Sequence, residues 1–336
     1  MPSIRDVAER AGVSITAVSR ALNDYPDINA DTKARILRVV EEMRYYPKAS
    51  ARSLVMNKSN IIGVYYPTRD GIGFQQPFIG TMLDIFKDEI GKLGYDLMIL
   101  GNSTAPFDSF SLFERVKHRE VDGVVLLGKT DETIKQLAES NVPLVGIDHF
   151  VTGPRCGSVT SENRRAVHDA VERLVRGGYQ RIAFAHGPLD LPVAVERLQG
   201  FYSGMAAMGR AVERAWVVDG SFSLEGGVAS AKALLACASM PDVVLCAADI
   251  TAIGIMQEFF RSGISIPDDV SLVGFDDIAA ASYVYPPLTT IRQDVNGLGK
   301  RAAQMMVDLI EGGSDAFPMH YVLPTEFIVR NSTRNM

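Results

Sequence analysis

Thr16, Ser19, Arg20 and Asn23 fall on one face of a single helix when each residue is advanced by about 100°. Their side chains suit contact with nucleic acid. Hydroxyls and amides hydrogen-bond base edges or phosphates, and a guanidinium pairs bidentately with O6 and N7 of guanine, a contact of roughly 1–3 kcal/mol. Arg20 could equally bind phosphate. The opposite face carries Val18, Ala21 and Leu22 as a buried stripe, and the Ser14 hydroxyl can cap the helix start. Just before it, Ile4, Val7, Ala8 and Ala11 recur at i, i+3, i+4 and i+7, one face of a preceding helix. Gly12 then supplies the positive φ that ends that helix. Two short helices with a tight turn and an exposed polar face make a helix-turn-helix able to enter a major groove. The spacing alone also fits an ordinary helical hairpin.

A second set of reactive groups lies far downstream, at the ends of short apolar runs. Asp148 follows PLVGI, His186 to Val193 follow RIAFA, Asp249 follows VVLCAA, and Asp276 follows SLVGF. In open parallel sheets, ligands bind beyond the carboxyl ends of the strands. A carboxylate there can accept hydrogen bonds from ligand hydroxyls, or it can cap the next helix. For Asp249 and Asp277 capping is the favoured reading. Enzymatic chemistry lacks its motifs: no GxGxxG follows the first strand, and there is no P-loop and no nucleophile elbow. His186 and Asp190 have no activated nucleophile beside them. The five His show no ligand spacing, so neither a metal nor a cofactor is expected, and no residue is assigned a catalytic role.

The elements that position these groups follow from periodicity. A third amphipathic helix opens near Asn29 to Asp31, with either as N-cap, and carries Ile36, Val39, Val40 and Met43 as its stripe. It ends at Tyr45, Tyr46 and Pro47. Three helices thus close a small domain over residues 1–47. Residues 48–59 are basic and rich in small residues, with a single apolar Leu54. From about Asn60, Val/Ile/Leu-rich runs alternate with helical stretches. Strands are expected at 60–66, 95–100, 121–128 and 143–148, and again at 181–187, 241–249 and 270–276, with a last one from Glu326 to Arg330. Continuous apolar runs bounded by Gly and separated by helices indicate parallel sheets covered on both faces. The pattern occurs twice, so two doubly wound lobes are expected.

DVAERAGVS, AVSRALN, the YxP of Tyr45 to Pro47 and the ARSL of Ala51 to Leu54 resemble the LacI/GalR family in order and in spacing. The resemblance covers essentially the whole chain. It implies an all-α helix-turn-helix headpiece and a hinge helix, then an α/β domain of two lobes like the periplasmic sugar-binding proteins. The chain would cross between lobes near 160, 291 and 321, giving one lobe of 60–160 with 292–320 and another of 161–291 with 321–330. For DNA, the resemblance implies roles for Ser14, Ile15, Thr16, Ala17, Ser19, Arg20 and Asn23, with Ile15 and Thr16 choosing the operator. Ile15 suits thymine methyls, though its place beside Val18 also fits partial burial. Ala51 and Leu54 match the hinge, whose Leu wedges into a minor-groove step. For the effector, Arg197 in ERLQGF, Asp276 in VGFDD, Phe222 in DGSF, Gln293 in IRQD, Asp148 in GIDHF, and Phe78 and Ile79 after QQP match contact positions. An aromatic platform with Arg and Asp suits a sugar. A surface ion pair of Arg197 with Glu196 or Glu213 is the plainer alternative. Departures from the family pattern are Ala17 for a Thr, Leu191 and Val193 where purine-responsive members are polar, Ala248 for an Asn, and Glu162-Asn163 for Asp-Asn.

Length and charge are consistent with this. The 336 residues suit two or three units. The net charge of −6 argues against nucleic acid, yet residues 1–58 hold ten Lys/Arg against seven Asp/Glu and the excess acid lies beyond them. No secretory signal or membrane-spanning run is read, and three distant cysteines fit a reducing cytoplasm. A near-palindromic operator needs a C2 homodimer. No C-terminal heptad run follows, so no higher oligomer is expected. The expected function is a dimeric transcriptional regulator that binds double-stranded operator DNA and is a repressor released by a sugar-like effector. Two alternatives are a sugar-binding receptor without a regulatory role, and a regulator controlled by a corepressor protein.

Overall fold

Short apolar stripes can bury themselves only against each other, and this determines the first unit, residues 1–59. The computed structural model describes residues 2–46, 58–67, 73, 76–101, 110–128, 132–312 and 319–334. Helices α1 (Ile4–Ala11), α2 (Ile15–Leu22) and α3 (Ala30–Glu42) surround Val7, Ala8, Ala11, Val18, Ala21, Ile36, Val39 and Tyr45. Each start is capped, the second and third by the residues expected. Ser3 and Asp6 form a reciprocal capping box, Ser14 accepts from the Ala17 N–H, and Asn29 accepts from the Asp31 N–H. Gly12 ends α1 at φ +62, a conformation costly for any residue with a Cβ.

The second unit, residues 60–336, contains two six-stranded sheets. The first comprises β1 (Ile61–Tyr65), β2 (Asp96–Leu100), β3 (Gly123–Leu127), β4 (Leu144–Ile147), β5 (Cys156–Ser161) and β11 (Met319–Leu323), in the order β11-β5-β4-β3-β1-β2, all parallel. The second comprises β6 (Ile182–His186), β7 (Val217–Asp219), β8 (Val243–Cys246), β9 (Ser271–Asp276), β10 (Thr289–Gln293) and β12 (Thr325–Ile328), in the order β12-β10-β9-β8-β6-β7. It is not wholly parallel, because β12 runs antiparallel to β10. Helices α4 (Pro77–Lys92), α5 (Leu112–His118) and α6 (Glu132–Glu139) belong to the first lobe, joined by α12 (Val295–Glu311), which packs on α4 and on the first sheet. Helices α7 (Asn163–Arg176), α8 (Pro192–Ala207), α9 (Leu224–Leu235), α10 (Asp249–Arg261) and α11 (Ala279–Tyr283) belong to the second, where α7 pairs with α8 and α9 with α10.

The chain changes lobe between β5 and α7, between β10 and α12, and between β11 and β12. These crossings fall at about 162, 294 and 324, two or three residues later than the expected 160, 291 and 321. The expected boundary at 321 would cut through β11, which pairs with β5 over its whole length. Central strands are buried on both faces, as at Gly123–Leu127 and Ser271–Asp276. Among the described residues no helix is long and apolar enough to cross a membrane. Cys156 and Cys246 are buried free thiols and Cys237 is half-buried.

Candidate functional site

In the first unit, the exposed face of α2 presents the predicted polar residues. Ser14 is spent on its cap. Ile15 is 43% exposed and Thr16 is also exposed, so Ile15 does not belong to the core. Ala17 packs against the head core, Ser19 is half-buried, and the Asn23 amide donates to the Ser19 carbonyl at 2.8 Å. Arg20 Nη1 donates to Asp27 Oδ2 at 2.7 Å, both side chains about half exposed. An exposed pair of this kind contributes roughly 0.2–1 kcal/mol, less than a bidentate guanine contact. The guanidinium can therefore leave Asp27 for a base with a net gain. Ala51 and Leu54 lie outside the described residues.

In the second unit, strand ends from both lobes converge on one guanidinium. Arg197, in the second turn of α8, is 3% exposed. Its Nε donates to Asn163 Oδ1 at 2.8 Å and its Nη1 to the Ala247 carbonyl at 2.6 Å, with Asp276 Oδ1 at 3.6 Å. The guanidinium also lies 3.7 Å from the Phe275 ring centre and 5.6 Å from that of Phe222. This is a buried hub, so the surface pair with Glu196 or Glu213 is not its arrangement. Gln293, at the end of β10, donates its amide N–H to Asp276 Oδ1 at 2.7 Å. Asp148, just past β4 in the first lobe, accepts from the Thr160 hydroxyl at 3.3 Å and is close enough to Arg197 to feel its charge. Asn163 ties the two together, donating to Thr160 Oγ1 at 3.3 Å and to the Ser161 carbonyl at 3.1 Å.

Local backbone geometry aims these groups. Asp148 (φ +52), Phe222 (φ +50) and Asp276 (φ +115) all occupy the positive-φ region, uncommon for non-glycine residues and a mark of functional sites. The Phe222 ring lies directly over Gly187, where a Cβ would come within 2.3 Å of ring carbons. Glycine is therefore required there for the ring to lie flat. The remaining two predicted contacts sit on α4. Phe78 is buried in the core that holds Ile62, Met82 and Phe86, and Ile79 packs against the same core.

The two expected caps are corrected. Asp249 is the first residue of α10, but its carboxylate accepts from the Ile278 N–H at 2.9 Å and from the Thr290 hydroxyl at 2.5 Å, joining three elements. Asp277 pairs with Arg292 at 2.7 Å and Arg330 at 2.6 Å. In each case a group distant in sequence, the Thr290 hydroxyl for Asp249 and the Arg292 and Arg330 guanidiniums for Asp277, takes the carboxylate in place of the local helix start. Sequence reasoning missed Asn163 and Glu196. A polar residue at the first position of a helix entered straight from a lobe crossing was the available signal for Asn163.

Charge is unbalanced in the cluster. Burial pushes Asp276 up to about 7, against the pull of Arg197 and the Gln293 hydrogen bond. Burial also raises Asp148 and Glu196, and raises Asp249 well above the usual carboxylate range. Burial lowers Arg197, while Asp276, Asp148, Glu196 and Asp249 hold it up.

Residues 3–48 match the family described as bacterial regulatory proteins, lacI family, and residues 171–333 match a periplasmic binding protein-like domain. The ribose operon repressor of Bacillus subtilis (strain 168) is 31% identical over 336 residues, covering 99% of each chain. The chain belongs to the lacI family. Among solved structures, the lac repressor dimer bound to operator and the anti-inducer ONPF superposes with a TM-score of 0.85 at 26% identity, over 99% of both chains. The transcriptional regulator CelR–cellobiose complex superposes with a TM-score of 0.74 at 28% identity, covering 99% of this chain and 100% of that one. As a lacI-family member the protein is a DNA-binding transcriptional regulator and not an enzyme.

Two expectations follow for this family member. With Arg20 read as a base contact of roughly 1–3 kcal/mol, Arg20→Ala is expected to lower discrimination between operator and mutated operator about fivefold to a hundredfold. Competition binding at fixed salt checks it, and an equal loss on all duplexes would assign Arg20 to phosphate instead. The second concerns pH. Asp276 binds its proton more tightly folded than unfolded, so its contribution to stability is complete below the usual carboxylate range and is lost as pH rises through about 7. The unligated wild type therefore resists urea better at pH 6 than at pH 8, by about 1.4 kcal/mol in all, since the slope dies away once Asp276 ionises above about 7. Asp276→Asn flattens that slope, and equal slopes in both proteins would contradict the assignment.

Proposed function

We propose that the protein is a dimeric repressor that reads a near-palindromic operator and is released by a sugar-like effector. In this reading residues 1–47 form the DNA-reading head, residues 48–59 the hinge, and residues 60–336 the effector-binding and dimerising domain, working in the cytoplasm. Ile15, Thr16 and Arg20 face the base edges, with Ser14, Ser19 and Asn23 holding the helix and Ala17 fitting it to the head core. Ala51 and Leu54 act in the minor groove. The effector sits at the strand ends, on Arg197, Asp276, Gln293 and Asp148, with Phe222 as its stacking platform and Phe78 and Ile79 as the apolar side.

The observation that carries this reading is the convergence on Arg197. A guanidinium and carboxylates at the strand ends of two lobes, under an aromatic ring beside a glycine, suit a molecule with apolar faces and a hydroxyl rim. A ligand bound to Asp148 in one lobe and Arg197 in the other favours one arrangement of the lobes. That arrangement sets the spacing of the two hinges in a dimer. The cellobiose bound by CelR and the ribose operon governed by the Bacillus relative support the sugar class.

The test is binding of the purified protein to the DNA upstream of its own gene, at fixed salt, with ribose, glucose, galactose and cellobiose in turn. Release by one of them supports the reading. Specific binding that no sugar alters would remove the sugar from it.

A further inference from the structure

The strand-end cluster has an excess of acceptors. Among the described residues Arg197 is its one buried cation, and its Nε and Nη1 are already committed to Asn163, Ala247 and Asp276. Three carboxylates surround it. Asp276 receives the guanidinium and the Gln293 amide. Asp148 receives a long hydrogen bond from the Thr160 hydroxyl and one from the Ser161 backbone. Glu196, beside Arg197 on α8, is hydrogen-bonded by Asn163 and feels the charge of both Asp148 and Arg197. Asp249 stands behind, committed to Ile278 and Thr290. When all three surrounding groups ionise, the described cluster carries more negative than positive charge around a buried Asp276 and half-buried Asp148 and Glu196, a costly state without a further donor.

Two neutral atoms point the same way. Gln293 is 2% exposed and its Oε1 has no hydrogen-bond partner, although the same amide is docked on Asp276. Ser161 is 1% exposed with an unpartnered Oγ, one residue from the lobe crossing and two from Asn163. Buried polar atoms are normally satisfied. Gln293 Oε1 can only accept, so the missing group at that atom is a donor.

A metal ion would supply positive charge but needs convergent ligands. Among the described residues no three His, Cys, Asp or Glu side chains come together closely enough to hold one. An ammonium brings the positive charge together with three directed N–H donors, and needs acceptors rather than a metal's ligand set. An anionic sugar would add to the excess charge. A neutral sugar would leave it unbalanced.

We propose that the effector is a ring sugar carrying a protonated amine, seated against Asp148 and Glu196 with Gln293 and Ser161 as neutral acceptors. This rests on reading the strand-end cluster as a sugar site. The amine makes charge-assisted hydrogen bonds, about twice as strong as neutral ones, and its charge offsets the cost that burial places on ionising Asp148 and Glu196.

The test compares matched ligands on the full-length protein by calorimetry at pH 7. The ligands are glucosamine, galactosamine and mannosamine, each against its neutral hexose and its uronic acid. The expected result is that one amino sugar binds at least tenfold more tightly than its neutral parent, and that the uronic acid of that series does not bind. Glu196→Gln should reduce that preference to threefold or less, and thermal unfolding of the variant checks that it is folded. In wild type the same binding should release protons, detected as a heat that depends on the buffer's ionisation enthalpy. Neutral hexoses binding as well as their amines would overturn the amine and leave the sugar site standing. Binding by none of the nine would overturn both.

Discussion

Arg197→Ala abolishes the response to effector while leaving the operator-reading head intact, so the variant represses without release. The side chain is buried with its partner, at 4% exposure for each. Removing one member of a buried ion pair costs about 3–5 kcal/mol, because the other charge is left without compensation. Asn163 Oδ1 and the Ala247 carbonyl lose their donor in the same step. The destabilisation should appear in urea unfolding followed by Trp216, the chain's single tryptophan, which is buried in the second lobe. The deficit should shrink as pH falls through 7, because Asp276, already pushed up to about 7 beside Arg197 and released from that cation's pull in the variant, then holds a proton and sheds the stranded charge. Arg197→Lys recovers charge without the planar fork and restores only part of the stability. An Arg197→Ala protein with wild-type stability and wild-type release would remove this residue from the account.

Ile36→Ala acts on the other unit. Among its described residues the head buries eight apolar side chains, of which Ile36 is fully enclosed. An Ile→Ala truncation in a core costs about 2–5 kcal/mol, comparable with the whole stability of a unit this small. Operator affinity should fall more than a hundredfold at 25 °C. The Trp216 unfolding curve should stay in place, because Trp216 lies in the second unit. A shared loss in both signals would show that the two units unfold together.

The strand ends that carry Asp148 and Asp276 are legible because PLVGI and SLVGF are short, mostly apolar runs that end on a carboxylate, as expected of parallel strands buried on both faces. The head was legible because its stripes, caps and Gly12 all agree. By contrast, β5, with sequence CGSVTS, resembles a polar loop. It is buried because the Ser158 hydroxyl accepts from the Val151 N–H at 2.9 Å, which satisfies the polar group without water. β10, TTIRQ, is hidden likewise: Thr289 bonds Thr333 at 2.9 Å and Thr290 bonds Asp249. In α12 glycines at 297 and 299 dilute the helical stripe, and Gly299 is where the helix meets Ile85 of α4. The site was legible in its family-matched residues and hidden in Asn163 and Glu196. Their importance comes from being brought beside Arg197 by the first lobe crossing, a tertiary fact without a local pattern.

The central claim is that one molecule couples the Arg197 cluster to the operator, and thermodynamic linkage tests it most directly. Operator affinity is measured with and without each of ribose, glucose, galactose, cellobiose and glucosamine, and affinity for any active ligand is measured with and without operator. Coupling is reciprocal for binding free energies. The account predicts that at least one ligand shifts operator affinity tenfold or more, that operator shifts that ligand's affinity by the same factor, and that Arg197→Ala abolishes both shifts. Specific operator binding unchanged by all five, or a shift that persists in Arg197→Ala, would contradict it.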